Sequence, residues 1–479
     1  MLFNSFDFGV FLPIVYLLYW FVFNRNIKVR NIFLLIVSYI FYGFWDWRFL
    51  SLILISSLMD YFLALGISQT PDANKRKRKF MLILSLVLNL GFLGFFKYYN
   101  FFVESFISTF ALFGKEFNYS PLNIILPVGI SFYTFQSLSY TLDVYFKKME
   151  PTRKLINFLA FVSFFPQLVA GPIERAKKLL PQFDDLKKFD YHSARTGLLL
   201  IVFGLFKKIM IADRVAVFVN HSYGDIAEAK GITLLMAVLF FAFQLYLDFS
   251  AYSDIAIGTA RIFGFKLTTN FRRPYLAASF SDFWKRWHIT LSSWFQDYIY
   301  IPLGGNRINP NRTIINLMIV FLLSGLWHGA SWNFVIWGAL NGLFLIVFDR
   351  FFKLEKSKGF NRILTSIFVS ISWAVSLVFF RAQSFGDAML VFQNIGFSNS
   401  EILFNFGLNS MEFKFSILLI IGMMLYEIIA ENMGEKLMVK FYETKAIVRW
   451  SLYLLLVISI IYLGSYGSAN DNTFIYFQF

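Results

Sequence analysis

The chain has 479 residues, of which 57% are hydrophobic, 21% aromatic and only 15% charged, with 64 phenylalanines. Soluble proteins average about 25% charged residues, so this composition excludes an ordinary soluble enzyme and points to an all-α, polytopic membrane protein. The net charge of +15 would suggest nucleic acid in a soluble chain, but here the basic residues fall in short loops between apolar runs, where they act as topology signals facing an anionic leaflet. There is no cysteine, which excludes disulfides, thiolate metal sites and an acyl-cysteine intermediate.

The N-terminal run MLFNSFDFGVFLPIVYLLYWFVF lacks a basic start and meets its first charge at Asp7, so it reads as a retained first span rather than a cleaved signal. Arg25, Lys28 and Arg30 follow it, and the cluster Asn74 to Lys79 follows a third apolar run ending at Gly66. Both loops are expected in the cytosol, with the N-terminus outside. Spans are expected near 80–96 and 121–142, with an outer segment at 99–120 between them. Residues 155–172 lie between two basic loops and are expected to be re-entrant, broken at Pro166 and Pro172. Spans near 197–219 and 231–257 lead to a basic stretch at 258–312, and the polar Lys207, Lys208, Asp248 and Asp254 inside them suggest either an ion pathway or pairs that line a water-filled cavity.

Residues 313–352 begin and end beside charge, which predicts a hairpin turning near Gly329 to Trp332. A helix from Arg312 rises about 24 Å by His328, deep in the bilayer. Spans near 363–380, 414–430 and 448–465 bring the expected total to about eleven crossings and leave the terminal FIYFQF outside. No repeat is visible and strand-like alternation is absent, so residues 1–479 read as a single helical integral-membrane domain.

Two histidines carry the chemical interest. His288 lies in SDFWKRWHITLSSWFQDYIYIPLGGNR; if 282–299 is helical, Trp284, His288, Leu291 and Phe295 share one stripe. Such a stripe is compatible with plain packing as well as with a site. His328, in LLSGLWHGASWNFVIWGALNG, sits between Gly325 and Gly329 beside Trp327 and Trp332. An ionisable side chain at that depth points to function, against the alternative of a small-residue packing face with a hydrogen-bonded histidine. The loop Pro302 to Arg307, near Arg272, Arg273, Lys285, Arg286 and Arg312, reads either as an anion-binding nest or as an ordinary turn beside topology charges.

The stretch SFSDFWKRWHITLSSWFQDYIYIPLGGNR followed by SGLWHGASWNFVIWGALNG resembles the signature of the membrane-bound O-acyltransferase family. VAGPIERAKKLLPQF and the terminal FIYFQF are similar to its bacterial alginate O-acetylation branch. The resemblance implies a ring of helices around a thinned centre, with a tunnel from a cytosolic donor mouth to an extracytoplasmic acceptor funnel. His328 matches the family's near-invariant histidine and His288 its second conserved polar position. The Gly-Gly-Asn-Arg loop, absent from the teichoic-acid D-alanylation branch, implies acetyl transfer to a polysaccharide.

On that basis His328 is the expected general base, because a sugar hydroxyl is a poor nucleophile and a positioned base contributes about 10² to 10⁴ in rate. His288, an indole N–H of Trp287 or Trp327, or a backbone N–H near Gly329 is the expected oxyanion donor. Trp284, Trp287, Trp327 and Trp332 are expected to line or support the tunnel, and Arg286, Gly304, Gly305, Asn306 and Arg307 to hold the donor, acetyl-CoA or another acyl thioester. No carboxylate is spaced with either histidine as a ligand set, so no metal is expected. The implied setting is the bacterial inner membrane with both termini extracytoplasmic, and the implied partners are membrane lipids, a polysaccharide acceptor and an extracytoplasmic acetyltransferase or acceptor protein, without nucleic acid. D-alanyl or longer-chain transfer is the alternative, and a secondary transporter a further one, although matching interrupted halves are not visible.

Overall fold

In lipid, backbone amides must be satisfied within the segment that carries them, and the apolar runs of this chain meet that demand as helices. A computed structural model describes the chain except for residues 116, 118, 355–357, 397–406, 435, 437–440, 467–473 and 476–479. Apart from one isolated bridge between Gly231 and Ile395, the described residues hold no strand. Among them, nine helical runs are long and apolar enough to cross a bilayer: Phe6–Phe23, Ile27–Gln69, Lys75–Ala111, Ile232–Ile262, Pro310–His328, Trp332–Phe351, Phe360–Arg381, Ser410–Met433 and Ala446–Leu463. Runs two and three, of 43 and 37 residues, far exceed the roughly 20 residues of one crossing. Each is interrupted by a non-α turn, at Trp47–Phe49 and Gly94–Tyr98. The protein is thus an all-helical, multi-pass membrane protein.

The chain packs as two compact units, residues 1–199 with 256–268 and residues 200–255 with 269–479. The first unit contains α1 (Phe6–Leu18), α2 (Ile27–Asp46), α3 (Leu50–Gln69), α4 (Lys75–Leu93), α5 (Tyr99–Ala111), α6 (Ile130–Tyr145), α7 (Leu155–Ser163) and the single turn α8 (Ala176–Leu179). Two helices, α9 (Tyr191–Leu205) and α11 (Ile232–Ile262), contribute residues to both units.

Helix α6 is shorter than the span expected over 121–142. Pro121 and Pro127 lack the amide that a helix needs, and the helix starts only after Gly129, which takes φ 76. Helix α7 stops at Ser163, ahead of Pro166, as the proline pattern predicts, and residues 164–174 are buried in protein. Phe165 N–H donates there to Ser38 Oγ at 3.1 Å, and in the last turn of α7 the Phe161 carbonyl accepts from the side chains of Gln136 and Gln167, at 2.8 and 2.9 Å.

The second unit contains α10 (Asp213–Gly224), α12 (Phe280–Arg286), α13 (Ile289–Phe295), α14 (Pro310–His328), α15 (Trp332–Phe344), α16 (Phe360–Arg381), α17 (Phe385–Asn394), α18 (Ser410–Met433) and α19 (Ala446–Leu463). The hairpin expected over 313–352 is present as α14 and α15. Asn309 Oδ1 caps α14 by accepting the Arg312 N–H at 2.7 Å, Pro310 opens the helix, and Ser331 Oγ caps α15 at Asn333 N–H. The helices touch along small residues: a Cβ on Gly325 would meet the Phe334 carbonyl, and one on Gly338 the Phe321 carbonyl.

The polar residues noted in the spans form pairs. Lys207 lies 2.7 Å from Asp254 and donates to Ser250 Oγ at 2.8 Å, while Lys208 lies 2.8 Å from Asp213 and 2.7 Å from Asp248. In place of one straight span over 197–219, α9 ends at Leu205 and an overwide turn over Phe206–Ala212 places the two lysines against these carboxylates before α10 begins.

Candidate active site

The single helix considered over 282–299 does not form. Helices α12 and α13 meet at Trp287 and His288, and His288 adopts φ 42, ψ 54, a left-handed conformation that is costly for any residue with a Cβ. Surrounding structure holds this break from both sides. Arg272 N–H donates to the Arg286 carbonyl and Ile289 N–H to the Asn270 carbonyl, both at 2.9 Å, so an extended segment grips the chain before and after the histidine. Ser279 Oγ caps α12 at Asp282 N–H, and the Asp349 carboxylate accepts the N–H groups of Phe280 and Ser281. Periodicity missed the break because it scores side-chain spacing within one helix, whereas Asn270, Arg272 and Asp349 act from outside that helix.

The break turns His288 inward, where it is 1% exposed. Phe249 packs perpendicular to its ring at 4.7 Å and the Trp327 ring lies 5.8 Å away. Burial pushes the imidazole's pKa well below the ordinary histidine value, so the ring is neutral near pH 7. Its Nδ1 lies 3.1 Å from Asn270 Oδ1.

His328 is the last residue of α14 and is 3% exposed. Three rings meet it nearly edge-on: Trp327 at 5.0 Å, Trp337 at 5.0 Å and Phe380 at 5.5 Å. Trp327 therefore contacts both imidazoles, and the two histidines, 40 positions apart in sequence, flank one indole.

The remaining sequence candidates divide. Trp287 stacks on Phe283 at 5.7 Å and meets Trp373 at 4.8 Å; Trp284 meets Trp337 at 6.1 Å and Trp373 at 5.7 Å. These two and Trp327 belong to the aromatic cluster around the histidines. Trp332 does not share that burial, being 59% exposed at the start of α15. Trp337, Trp373, Phe380, Phe249 and Asn270 were not singled out from sequence. Trp337 had a signal, since it sits in the same tryptophan-rich hairpin, but Phe249, Asn270 and Phe380 lie in stretches with no distinguishing pattern.

The donor-binding candidates are partly engaged within the protein. Arg286 is not an uncommitted cation: its Nε lies 2.8 Å from Asp282 and a terminal nitrogen 2.8 Å from Glu431, which also holds Arg273 at 2.7 Å. Of the two readings of residues 302–307, the backbone hydrogen bonds are those of a closed turn. The N–H groups of Gly304, Gly305 and Arg307 already donate to the carbonyls of Ile301, Tyr300 and Gly304, and Asn316 Nδ2 donates to the Leu303 and Gly305 carbonyls. Gly304 and Gly305 take φ 103 and 56 to close that turn. Asn306 and Arg307 are exposed on it.

Residues 151–385, which contain both histidines, match the family model of the membrane-bound O-acyltransferases. The chain is 38% identical over 420 residues to a peptidoglycan O-acetyltransferase of Helicobacter pylori, covering 80% of this chain and 77% of that protein. It is 40% identical over 383 residues to a probable alginate O-acetylase of Pseudomonas putida, covering 78% and 76%. A teichoic acid D-alanyltransferase of Bacillus subtilis is 27% identical over 250 residues, covering 50% and 63%. With similarity of this extent, the chain belongs to the membrane-bound O-acyltransferase family. It is an acyltransferase embedded in a membrane.

Proposed function

We propose that this protein O-acetylates an envelope polysaccharide, taking the acetyl group from a cytosolic thioester, with His328 as general base. The observation that carries the reading is the convergence of His288 and His328 on Trp327 inside a buried aromatic cluster. The attacking hydroxyl oxygen forms a bond to the acyl carbon while its proton passes to the imidazole. The tetrahedral oxyanion collapses, the carbon–sulfur bond breaks, and the thiolate takes the proton back from the imidazolium. The oxyanion needs donors, and the indole N–H of Trp327 is a group of the right kind in the right neighbourhood.

In this reading residues 1–479 act as one integral-membrane domain of the bacterial inner membrane, with both termini extracytoplasmic. A tunnel past Trp284, Trp287 and Trp327 joins acetyl-CoA on the inner side to the glycan outside, and Arg307 helps hold the donor at the mouth. An extracytoplasmic partner protein hands on or receives the acetyl group. The names of the relatives in Helicobacter pylori and Pseudomonas putida support O-acetylation of a cell-surface polymer. Transfer of a D-alanyl or longer group is the competing reading, favoured by more distant relatives such as the Bacillus subtilis protein.

The test is transfer by purified protein from acetyl-CoA to a soluble glycan, together with mass analysis of surface polysaccharide from cells with and without the gene. Acetyl-sized mass differences are expected. Unchanged polysaccharide, or a mass difference of another acyl group, overturns the assignment.

A further inference from the structure

Asn270 belongs to none of the motifs that marked the site, yet it is fully buried and its polar atoms face the His288 break. Its Oδ1 accepts the Thr290 hydroxyl at 2.9 Å and the Thr290 backbone N–H at 3.3 Å, and lies 3.1 Å from His288 Nδ1. Its Nδ2 reaches Ser253 Oγ at 3.4 Å, and its main-chain carbonyl accepts the Ile289 N–H at 2.9 Å. A backbone N–H can only donate, so the amide atom that meets Thr290 is the oxygen and the side chain cannot be turned over without breaking that bond. An amide oxygen can only accept, so the imidazole nitrogen facing it carries the proton. In a neutral ring the lone pair is then on Nε2.

We infer that Asn270 is a positioning residue that holds His288 as the Nδ1–H tautomer, so that Nε2 accepts a hydrogen bond from an O–H or N–H of the substrate and does not donate to the oxyanion. The ring has little freedom to escape this arrangement. Its backbone is pinned in the left-handed region, Phe249 stands perpendicular to it at 4.7 Å, and Phe271 lies 6.3 Å away on the segment that carries Asn270. The consequence for the reaction rests on the acyl-transfer reading given above, and it removes His288 from the set of oxyanion donors. The tautomer itself stands on geometry alone.

The test separates the two. The full-length protein is labelled with ¹⁵N-histidine; it has four histidines, and the His288 ring nitrogens are assigned by their loss in His288→Gln. At neutral pH Nδ1 should resonate as a protonated, pyrrole-type nitrogen and Nε2 as a bare, pyridine-type one. Asn270→Leu should release the ring into a mixture of tautomers, while Asn270→Asp, which keeps an acceptor oxygen, should retain the Nδ1–H form. A protonated Nε2 in the native protein overturns the inference, as does an unchanged tautomer in Asn270→Leu that still melts cooperatively. The native spectrum decides the matter even if the leucine variant does not fold. Loss or retention of acetyl transfer bears on the proposed activity, and the nitrogen resonances do not depend on it.

Discussion

At His328 the loss of one side chain can be separated from the loss of the fold. His328→Ala should lower acetyl transfer by about 10² to 10⁴, the usual contribution of a positioned general base, while the variant keeps a cooperative melt. The rings that surround the imidazole are anchored on three helices, since Trp327, Trp337 and Phe380 lie on α14, α15 and α16. Activity and a thermal melt are measured on the same preparation. Near-native turnover would remove the base assignment, and loss of turnover together with the melt would make the residue structural. His288→Ala should cost less activity if Nε2 only orients a substrate group. By contrast, Trp332→Ala, at a largely exposed position, should change stability by no more than about 0.5 kcal/mol.

At the scale of the element, the α14–α15 hairpin depends on close approach. Gly325→Val forces a branched side chain onto the Phe334 carbonyl, so the helices must separate. Overpacking of this kind costs about 1 to 3 kcal/mol, and the variant should melt at lower temperature with reduced activity, because the same hairpin carries His328. The charged cluster makes a different prediction. Lys208 stands between Asp213 and Asp248, all three buried, and Lys208→Met leaves two carboxylates without their cation. Breaking a buried pair from one side typically costs about 3 to 5 kcal/mol. A Lys208→Met protein as stable as the native one in a denaturant titration would show that water reaches these groups.

For the whole molecule, the decisive quantity is orientation. The native chain has no cysteine, so single cysteines report cleanly. With the Lys75 to Lys79 cluster on the cytosolic side, a cysteine replacing Arg76 should resist an impermeant thiol reagent in intact cells and react after the membrane is opened. A cysteine at Asn470, which lies outside the described residues, should react in intact cells. Labelling of the Arg76 position from outside would reverse the proposed direction of transfer.

Class, helicity and most helix positions were legible in the chain itself, because a bilayer admits few backbone solutions and a run of apolar residues states which one is used. The α14–α15 hairpin and the stop before Pro166 follow from charge, glycine and proline, signals that act within a few residues. His288 and His328 were visible as unusual residues in unusual surroundings. That they flank one indole was not, since nothing local sets the distance between positions 288 and 328. The break at His288 was equally hidden: a left-handed residue between two helices is unfavourable by local propensity and persists through the hydrogen bonds of Asn270 and Arg272. The engagement of Arg286 was hidden for the same reason, since the carboxylate of Glu431 that meets it lies 145 residues away along the chain. Sequence determined what each segment must be in lipid; tertiary structure decided which polar groups meet, because pairing depends on neighbours the chain brings from afar.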